Sequence, residues 1–420
     1  MMICEWSTGL AGRSAALAFI LALASGAKSL PADTVTTWMD VTEHALSESD
    51  GGTATSRTAQ TSRVPAQVAL ALFEATNGIE RRYVPFLELP PAPPGASAEA
   101  AAAVAAHTVL AAVYPDHQKT FDDALVISLA GVPDGESEKA GSEFGKLAAA
   151  AAMERSALPV DAVLEPYRPL TEPGVYIDPG LPSILPFETA LPTYFLSRID
   201  ELRPAGPPRL DSERYARDLD EVRRLGAKES QERPVDKGLL ARPWLWINYQ
   251  PMIARIANQP GRSLSQNARL FALTNMAMED AWSAIMEAKL HFASWRPITA
   301  IRNADRDGNP ATSRDAAWEP LLKTPTHGDY PCGHCGVSAA VATVLEAETG
   351  AAPAGGVRLH SWDDNPGFQI VLPTWKAFVD EMSMSRIYAG AHTRSANEDA
   401  EAMGRAAARR ALQQMRPRRE

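Results

Sequence analysis

Cysteine is scarce in this chain: three residues in 420, at Cys4, Cys332 and Cys335, too few for a disulfide framework. A basic excess is also missing. With 41 Lys and Arg against 51 Asp and Glu, the formal net charge is -10, which argues against a nucleic-acid partner because backbone phosphates need a dominant basic face. Any anion site must therefore be local. Period-two alternation is rare, so strands should be few. Beyond the first residues no segment reaches about 18 uninterrupted apolar positions, so no membrane span is expected in the mature chain. The 22% charged and 45% hydrophobic residues exclude a solvated, disordered polypeptide.

At the start, Arg13 leads into the apolar run Ser14 to Ala24, followed by small residues through Ala27. The run is short for a bilayer and reads as a signal peptide over residues 1–27, which predicts a secreted or periplasmic protein. Cys4 would leave with it. What remains reads as an all-α, multi-helix chain with proline-rich connections. Val64, Val68, Leu72 and Ala75 recur at helical spacing, with Pro65 suited to a first turn and Asn77-Gly78 to an end. Ser97 opens an alanine-rich helix to about Val113, and Tyr215, Leu219 and Val222 mark another that Gly226 ends. Between about Pro159 and Pro208 no period lasts, which predicts an irregular crossing over the helical body. Further helices are expected at Leu264 to Trp295, Gly336 to Glu348, Leu372 to Met384 and Ser395 to Met415. A boundary just after Pro234 divides an N-terminal helical region, 28–234, from a C-terminal catalytic region, 235–420.

Three segments of that second region carry chemistry. Lys289 and Arg296 lie seven residues apart in a helical pattern, two turns, which would set both cations on one face, with Pro297 ending the helix. Tyr330-Pro-Cys-Gly-His334 precedes a helical run, placing Gly333 and His334 at an N-terminus where free N–H groups and the helix dipole favour an anion. Ser385-Arg386 leads to His392, just before the capping-box pattern Ser395-Ala-Asn-Glu398. Arg386 supplies a planar guanidinium suited to two oxygens of a phosphate-like group. Taken alone, each segment is better explained by a solvated helix face or an ordinary turn.

Taken in order, Lys289-x6-Arg296-Pro297, Pro331-Cys-Gly-His334 and Ser385-Arg386-x5-His392 resemble the motif of the vanadium-dependent haloperoxidase and type 2 phosphatidic acid phosphatase superfamily. Ile298 to Arg302, Asp305 to Pro310, Ser395 to Asp399, Arg81 to Tyr83 and Pro93 to Gly95 resemble its bacterial haloperoxidase-like branch. The resemblance implies the helical bundle of that superfamily. It also implies that Lys289, Arg296 and Arg386 hold the oxygens of vanadate, with Cys332, Gly333 and His334 completing the cofactor-binding set. His392 would be the metal ligand, and His334, His392 and Lys289 the catalytic residues. The substrates would be hydrogen peroxide, a halide and a small organic acceptor. In the phosphatase alternative no metal is needed: His392 attacks a phosphate monoester to form a phosphohistidine and His334 protonates the leaving alcohol. Helical members of the superfamily also associate, which leaves a homo-oligomer open.

Two departures stand out. Cys332 replaces a serine that donates to the oxyanion, and a thiol donates weakly; with Cys335 it forms a pair that an oxidising compartment permits to bridge. Ala396 stands where many relatives place an aspartate that orients the second histidine, so the phosphatase reading is weakened more than the haloperoxidase one; Asn397 and Asp399 are the candidate substitutes. If those changes have removed activity, a noncatalytic oxyanion-binding protein is the third reading. Asn303-x-Asp305-x-Asp307-Gly308 resembles half a calcium loop, but Arg314 occupies the twelfth position, which favours a polar turn. His44, His107, His117, His291, His327 and His360 form no constellation in sequence, so packing or surface roles are expected.

Overall fold

The computed structural model describes residues 33–48, 54–157, 171–177, 190–241, 243–361 and 370–418. The predicted signal peptide lies outside the described residues. Helices dominate, as the sequence predicts. The first five are α1 (Thr34–Glu48), α2 (Ala54–Glu80), α3 (Ala98–Val113), α4 (Gln118–Leu129) and α5 (Glu136–Ser156). Then come α6 (Glu213–Leu225), α7 (Val235–Leu240), α8 (Gln250–Ala257) and α9 (Leu264–Phe292). The remaining four are α10 (Pro297–Arg302), α11 (Gly333–Thr349), α12 (Trp375–Tyr388) and α13 (Arg394–Gln414). Three short strands, β1 (Ile247–Asn248), β2 (Val357–Ser361) and β3 (Ile370–Leu372), form an antiparallel sheet in that order. No helix among the described residues is long and apolar enough to cross a membrane.

The centre of the molecule is α9. A Ser263–Gln266 capping box starts it, and residues all round its circumference are buried, from Ala268 and Phe271 to Met286 and Lys289, the pattern of a helix enclosed by others. Helices α2, α11 and α13 pack around it. One core runs through residues from both sides of Pro234, including Trp38, Phe73, Leu110, Phe271, Val341 and Phe378, each worth about 1.5–3 kcal/mol when fully buried. Small residues set the closest crossings. A methyl on Gly404 of α13 would lie 1.9 Å from the carbonyl oxygen of Gly336 in α11. One on Gly145 of α5 would lie 2.4 Å from that of Ala101 in the alanine-rich α3.

Several helix ends differ from those read in the sequence. Helix α2 runs through Pro65 and past Asn77-Gly78. The Asn77 amide does not cap it; it exchanges hydrogen bonds with the backbone of Tyr83. Gly78 gives way to the Phe144 ring, 2.5 Å from where a Cβ would stand. Helix α12 starts after Leu372, which belongs to β3; the Thr374 hydroxyl accepts from Ala377 N–H, and the helix continues through Arg386. Helix α13 starts at Arg394 without a side-chain cap, and the expected Ser395 capping box does not form. The Ser395 hydroxyl and N–H instead both go to Asp218 of α6, so tertiary pairing outcompetes the local motif. Of the irregular crossing, the described parts contact α9 and the connector that follows it. Asp280 accepts from the N–H groups of Tyr194 and Phe195 at 2.6 Å each, and Val175 bridges Ser294.

Candidate oxyanion site

The cations Lys289 and Arg296 do not share a helix face. Helix α9 ends at Phe292, where Ala293 adopts a left-handed conformation (φ 43°) and its N–H caps the carbonyl of Lys289. Pro297, expected to end a helix, opens α10 as its first residue, with Arg296 in the extended conformation before it. The connector between is laced on both sides: Tyr176 N–H donates to Ala293 O, Trp295 N–H to Gly174 O and Asp329 N–H to Ser294 O. A bent, backbone-bonded connector, not a continuous helix, aims the arginine.

Both cations are 1% exposed. The Lys289 ammonium donates to the carbonyls of Gly328 (2.8 Å) and Asp329 (2.9 Å). The Arg296 guanidinium donates through Nε to His327 O (2.6 Å), through Nη1 to Ala391 O (2.7 Å) and His392 Nε2 (3.1 Å), and through Nη2 to His327 Nδ1 (3.0 Å). His392 in turn donates from Nδ1 to Asp329 Oδ1 at 2.6 Å, while the other carboxylate oxygen accepts from the Thr393 hydroxyl at 2.9 Å. The carboxylate at Nδ1 favours the Nδ1–H tautomer, while Arg296 Nη1, 3.1 Å from Nε2 and 3.5 Å from Nδ1, lies against the ring.

The carboxylate missing at position 396 is therefore supplied from another place. Ala396 is indeed a fully buried methyl, but Asp329, just ahead of Tyr330-Pro331-Cys332, orients His392. Neither expected substitute does so: Asn397 Nδ2 donates to Ser383 O, and Asp399 accepts from the Tyr330 hydroxyl. His327, expected to pack or lie at the surface, joins the arginine network. Asp329 and His327 lie within seven residues of His334 in the sequence; that proximity is the one local signal that marks them, and partner geometry is needed to use it.

The second segment behaves as its N-terminal position predicts. Cys332 is the N-cap of α11; its sulfur accepts from Cys335 N–H, and its own N–H donates to Ala396 O in the first turn of α13. Gly333 is required by the Trp282 ring, which lies 2.8 Å from where a Cβ would stand. His334 is half-buried in the first turn. After α12, Gly390 takes φ 72° with Gly226 O 2.6 Å from any Cβ, a turn that only glycine fits. That turn brings Ala391 O to Arg296 and seats His392 at 1% exposure. Arg386, 1% exposed, has Nε and Nη1 buried without hydrogen-bond partners.

Charge is concentrated and poorly compensated. Burial and the Arg296 charge push Lys289 down to about 7, against the pull of Asp329. Burial lowers Arg296 to about 10 and also lowers Arg386. Burial, then Arg296, Lys289 and Arg386, hold His392 well below the usual imidazole range, so its ring is neutral. Burial raises Asp329, with Arg296 and Lys289 opposing. Two buried cations, Lys289 and Arg296, oppose the one carboxylate, and the buried Arg386 adds two unpaired guanidinium nitrogens, a set that can seat an anion with several oxygens. A neighbouring cleft, lined by Pro207, Leu210, Tyr215, Trp295, Asp329 and Thr393 among others, touches the site at Asp329 and Thr393, and neither His392 nor the three cations line it. The calcium-like segment is a polar turn: Asp307 accepts from Asn309 N–H and the Thr312 hydroxyl, and Arg314 pairs with Asp305.

The fold and its cationic pocket define a class, the helical-bundle proteins built around a histidine and three cations. Residues 269–419 match the family model of the VCPO second helical-bundle domain. The fold is similar to that of a bacterial vanadium-dependent iodoperoxidase, with a TM-score of 0.73 and 20% identity over 93% of this chain and 99% of that one. It is also similar to the apo form of a bacterial vanadium-dependent chloroperoxidase (TM-score 0.64, 18% identity, 83% of this chain and 92% of that one). For the holo form of a bacterial vanadium-dependent chloroperoxidase the values are 0.62, 18%, 90% and 92%. No curated protein matches. Residues 269–419 are thus similar to the VCPO second helical-bundle domain, and the chain shares the helical fold of these structures.

Proposed function

We propose that the protein is a vanadate-dependent haloperoxidase that oxidises a halide with hydrogen peroxide to a hypohalous species, which then reacts with a small organic acceptor. The observation that carries this reading is the pairing of a neutral His392, held at Nδ1 by Asp329 and packed against Arg296, with an Arg386 whose Nε and Nη1 are buried and unpaired. These residues fit vanadate: Arg386, Arg296 and Lys289 would hold its oxygens, the Gly333 N–H would donate, and His392 Nε2 would be the ligand. When bound, vanadate supplies a Lewis-acid centre that makes peroxide electrophilic toward halide without changing its own oxidation state. Asp329 keeps the Nδ1 proton in place so that Nε2 stays a donor of electrons. His334, at the half-buried mouth, takes and returns the peroxide proton.

A phosphomonoesterase is the second reading, favoured by the Asp329–His392 hydrogen bond, because a nucleophilic histidine needs such a carboxylate. One assay separates them. Purified protein is tested with and without vanadate for peroxide-dependent bromination and iodination, and for hydrolysis of a generic phosphate ester. Halide oxidation that needs vanadate and disappears in His392→Ala is expected. Ester hydrolysis inhibited by vanadate would replace the first reading with the second, and inactivity in both assays would leave an oxyanion-binding protein.

A further inference from the structure

Cys332, the N-cap of α11, and Cys335 in its first turn flank Gly333 and His334 of the candidate site and pack in an apolar cluster with Ile285, Met286, Ala288 and Met403; the reaction proposed above gives their sulfurs no step. The two sulfurs are 2.7 Å apart, both side chains are fully buried, and neither is bridged. Arg386, with its two unpaired nitrogens, acts electrostatically on both sulfurs. Gly333 and His334, between the cysteines, belong to the candidate site. An oxyanion or peroxide held at the Gly333 N–H would therefore stand one residue from Cys332.

We propose that Cys332 and Cys335 are a peroxide-responsive modification site: hydrogen peroxide arriving through the oxyanion pocket converts them to a disulfide, and a small external dithiol restores the thiols. This rests on the reading of the pocket as one that admits peroxide. In the first step the Cys332 sulfur attacks one peroxide oxygen. An S–O bond forms, the O–O bond breaks, and the departing hydroxide takes the thiol proton as water. The sulfenic acid formed is then attacked by the Cys335 sulfur; the S–S bond forms, the S–O bond breaks, and the oxygen leaves as a second water. One peroxide is reduced and two thiols are oxidised. The pair is asymmetric in the sense this order needs. Although burial raises Cys332, the hydrogen bond from Cys335, the Arg386 charge and the Cys335 N–H together bring it below the ordinary thiol range. Burial and the neighbouring Cys332 push Cys335 well above it.

Complete burial of both sulfurs adds a size filter: peroxide should react and a bulky aromatic disulfide reagent should not. The test uses the full chain, reduced with a dithiol and desalted, without vanadate or halide, then exposed to peroxide. It is quenched in acid, alkylated after denaturation and digested, and the peptide holding both cysteines is weighed. The expected product has lost two hydrogens and carries no alkyl group, dithiol restores two alkylation sites, and saturating phosphate slows the conversion at least severalfold. Cys335→Ser, checked for folding by circular dichroism, should stop at a sulfenic acid trapped by dimedone at Cys332. Two alkylated thiols after peroxide would overturn the proposal, as would equal reactivity toward the bulky reagent or indifference to phosphate. Because the readout is thiol mass alone, halide oxidation can fail while this site survives, and the reverse outcome removes this site alone.

Discussion

Asp329 reaches further than any other residue in the pocket: its carboxylate orients His392 and binds Thr393, and its backbone carbonyl holds Lys289. Asp329→Asn keeps the backbone contact and the size but replaces the charged acceptor with a neutral amide whose NH2 can instead donate to the ring, so the Nδ1–H tautomer is no longer held. Vanadate affinity and vanadate-dependent turnover should each fall about 10- to 100-fold, read by calorimetry and by bromination, while the circular-dichroism spectrum is unchanged. Unaltered affinity would show that the pair is not what positions the ring. Lys289 predicts two opposite pH trends. Its ammonium is pushed down to about 7 by burial and Arg296, so above that pH the pocket loses a cation. Binding of sulfate, whose own charge is constant there, should weaken as pH rises through 7. The stability of the empty protein should move the other way. Between about 7 and the ordinary lysine range the unfolded chain binds a proton that the folded one does not, so stability rises with pH across that window. Titration calorimetry and urea midpoints at pH 6 to 9 measure the two trends, and Lys289→Met should flatten both.

Among the elements, the α11–α13 crossing sets the pocket, because His334 stands in the first turn of one helix and His392 just before the other. Gly404→Ala would place a methyl 1.9 Å from Gly336 O. Backbone cannot rotate out of the way as a side chain can, so the helices must separate, at a cost of about 1–3 kcal/mol or more. A lower urea midpoint with reduced anion affinity is expected; a lower midpoint with intact affinity would mean that the two histidines do not depend on this crossing. The elements were legible in sequence to the extent that their signals were local. Gly226 ends α6, Ser97 caps α3 by accepting from Ala100 N–H, and Gly333 and His334 open α11. Failures occurred where distant partners decided. Ser395 gives its hydroxyl to Asp218 rather than to its own helix. Pro297, a reasonable helix terminator after Arg296, proved a helix starter because Ala293 had already turned the chain. The motif named Lys289, Arg296, Arg386 and His392 by type and order, yet the two-turn helix invoked to join the first pair does not exist. Asp329 was invisible as a partner because the sequence gives its position but not its distance from His392.

For the whole molecule, the pocket is an imbalance that a net charge of -10 conceals. Three cations lie at 1% exposure in the interior of an acidic protein, and Arg386 carries two unsatisfied donors there. Leaving a buried charged donor unpaired is destabilising, whereas pairing it with an anion recovers that loss. Stability without a ligand should therefore be below what the bundle alone would give, and tetrahedral oxyanions should raise it by mass action, by about 2.7 kcal/mol at a concentration 100 times Kd. Arg386→Met, which keeps much of the side chain's length and removes its charge, separates these terms. Its ligand-free unfolding midpoint should equal or exceed that of the unaltered protein, and the rise in Tm on adding phosphate or vanadate should largely vanish. A destabilised empty variant that still responds to phosphate would mean that Arg386 is held by partners within the fold and that the oxyanion is bound elsewhere.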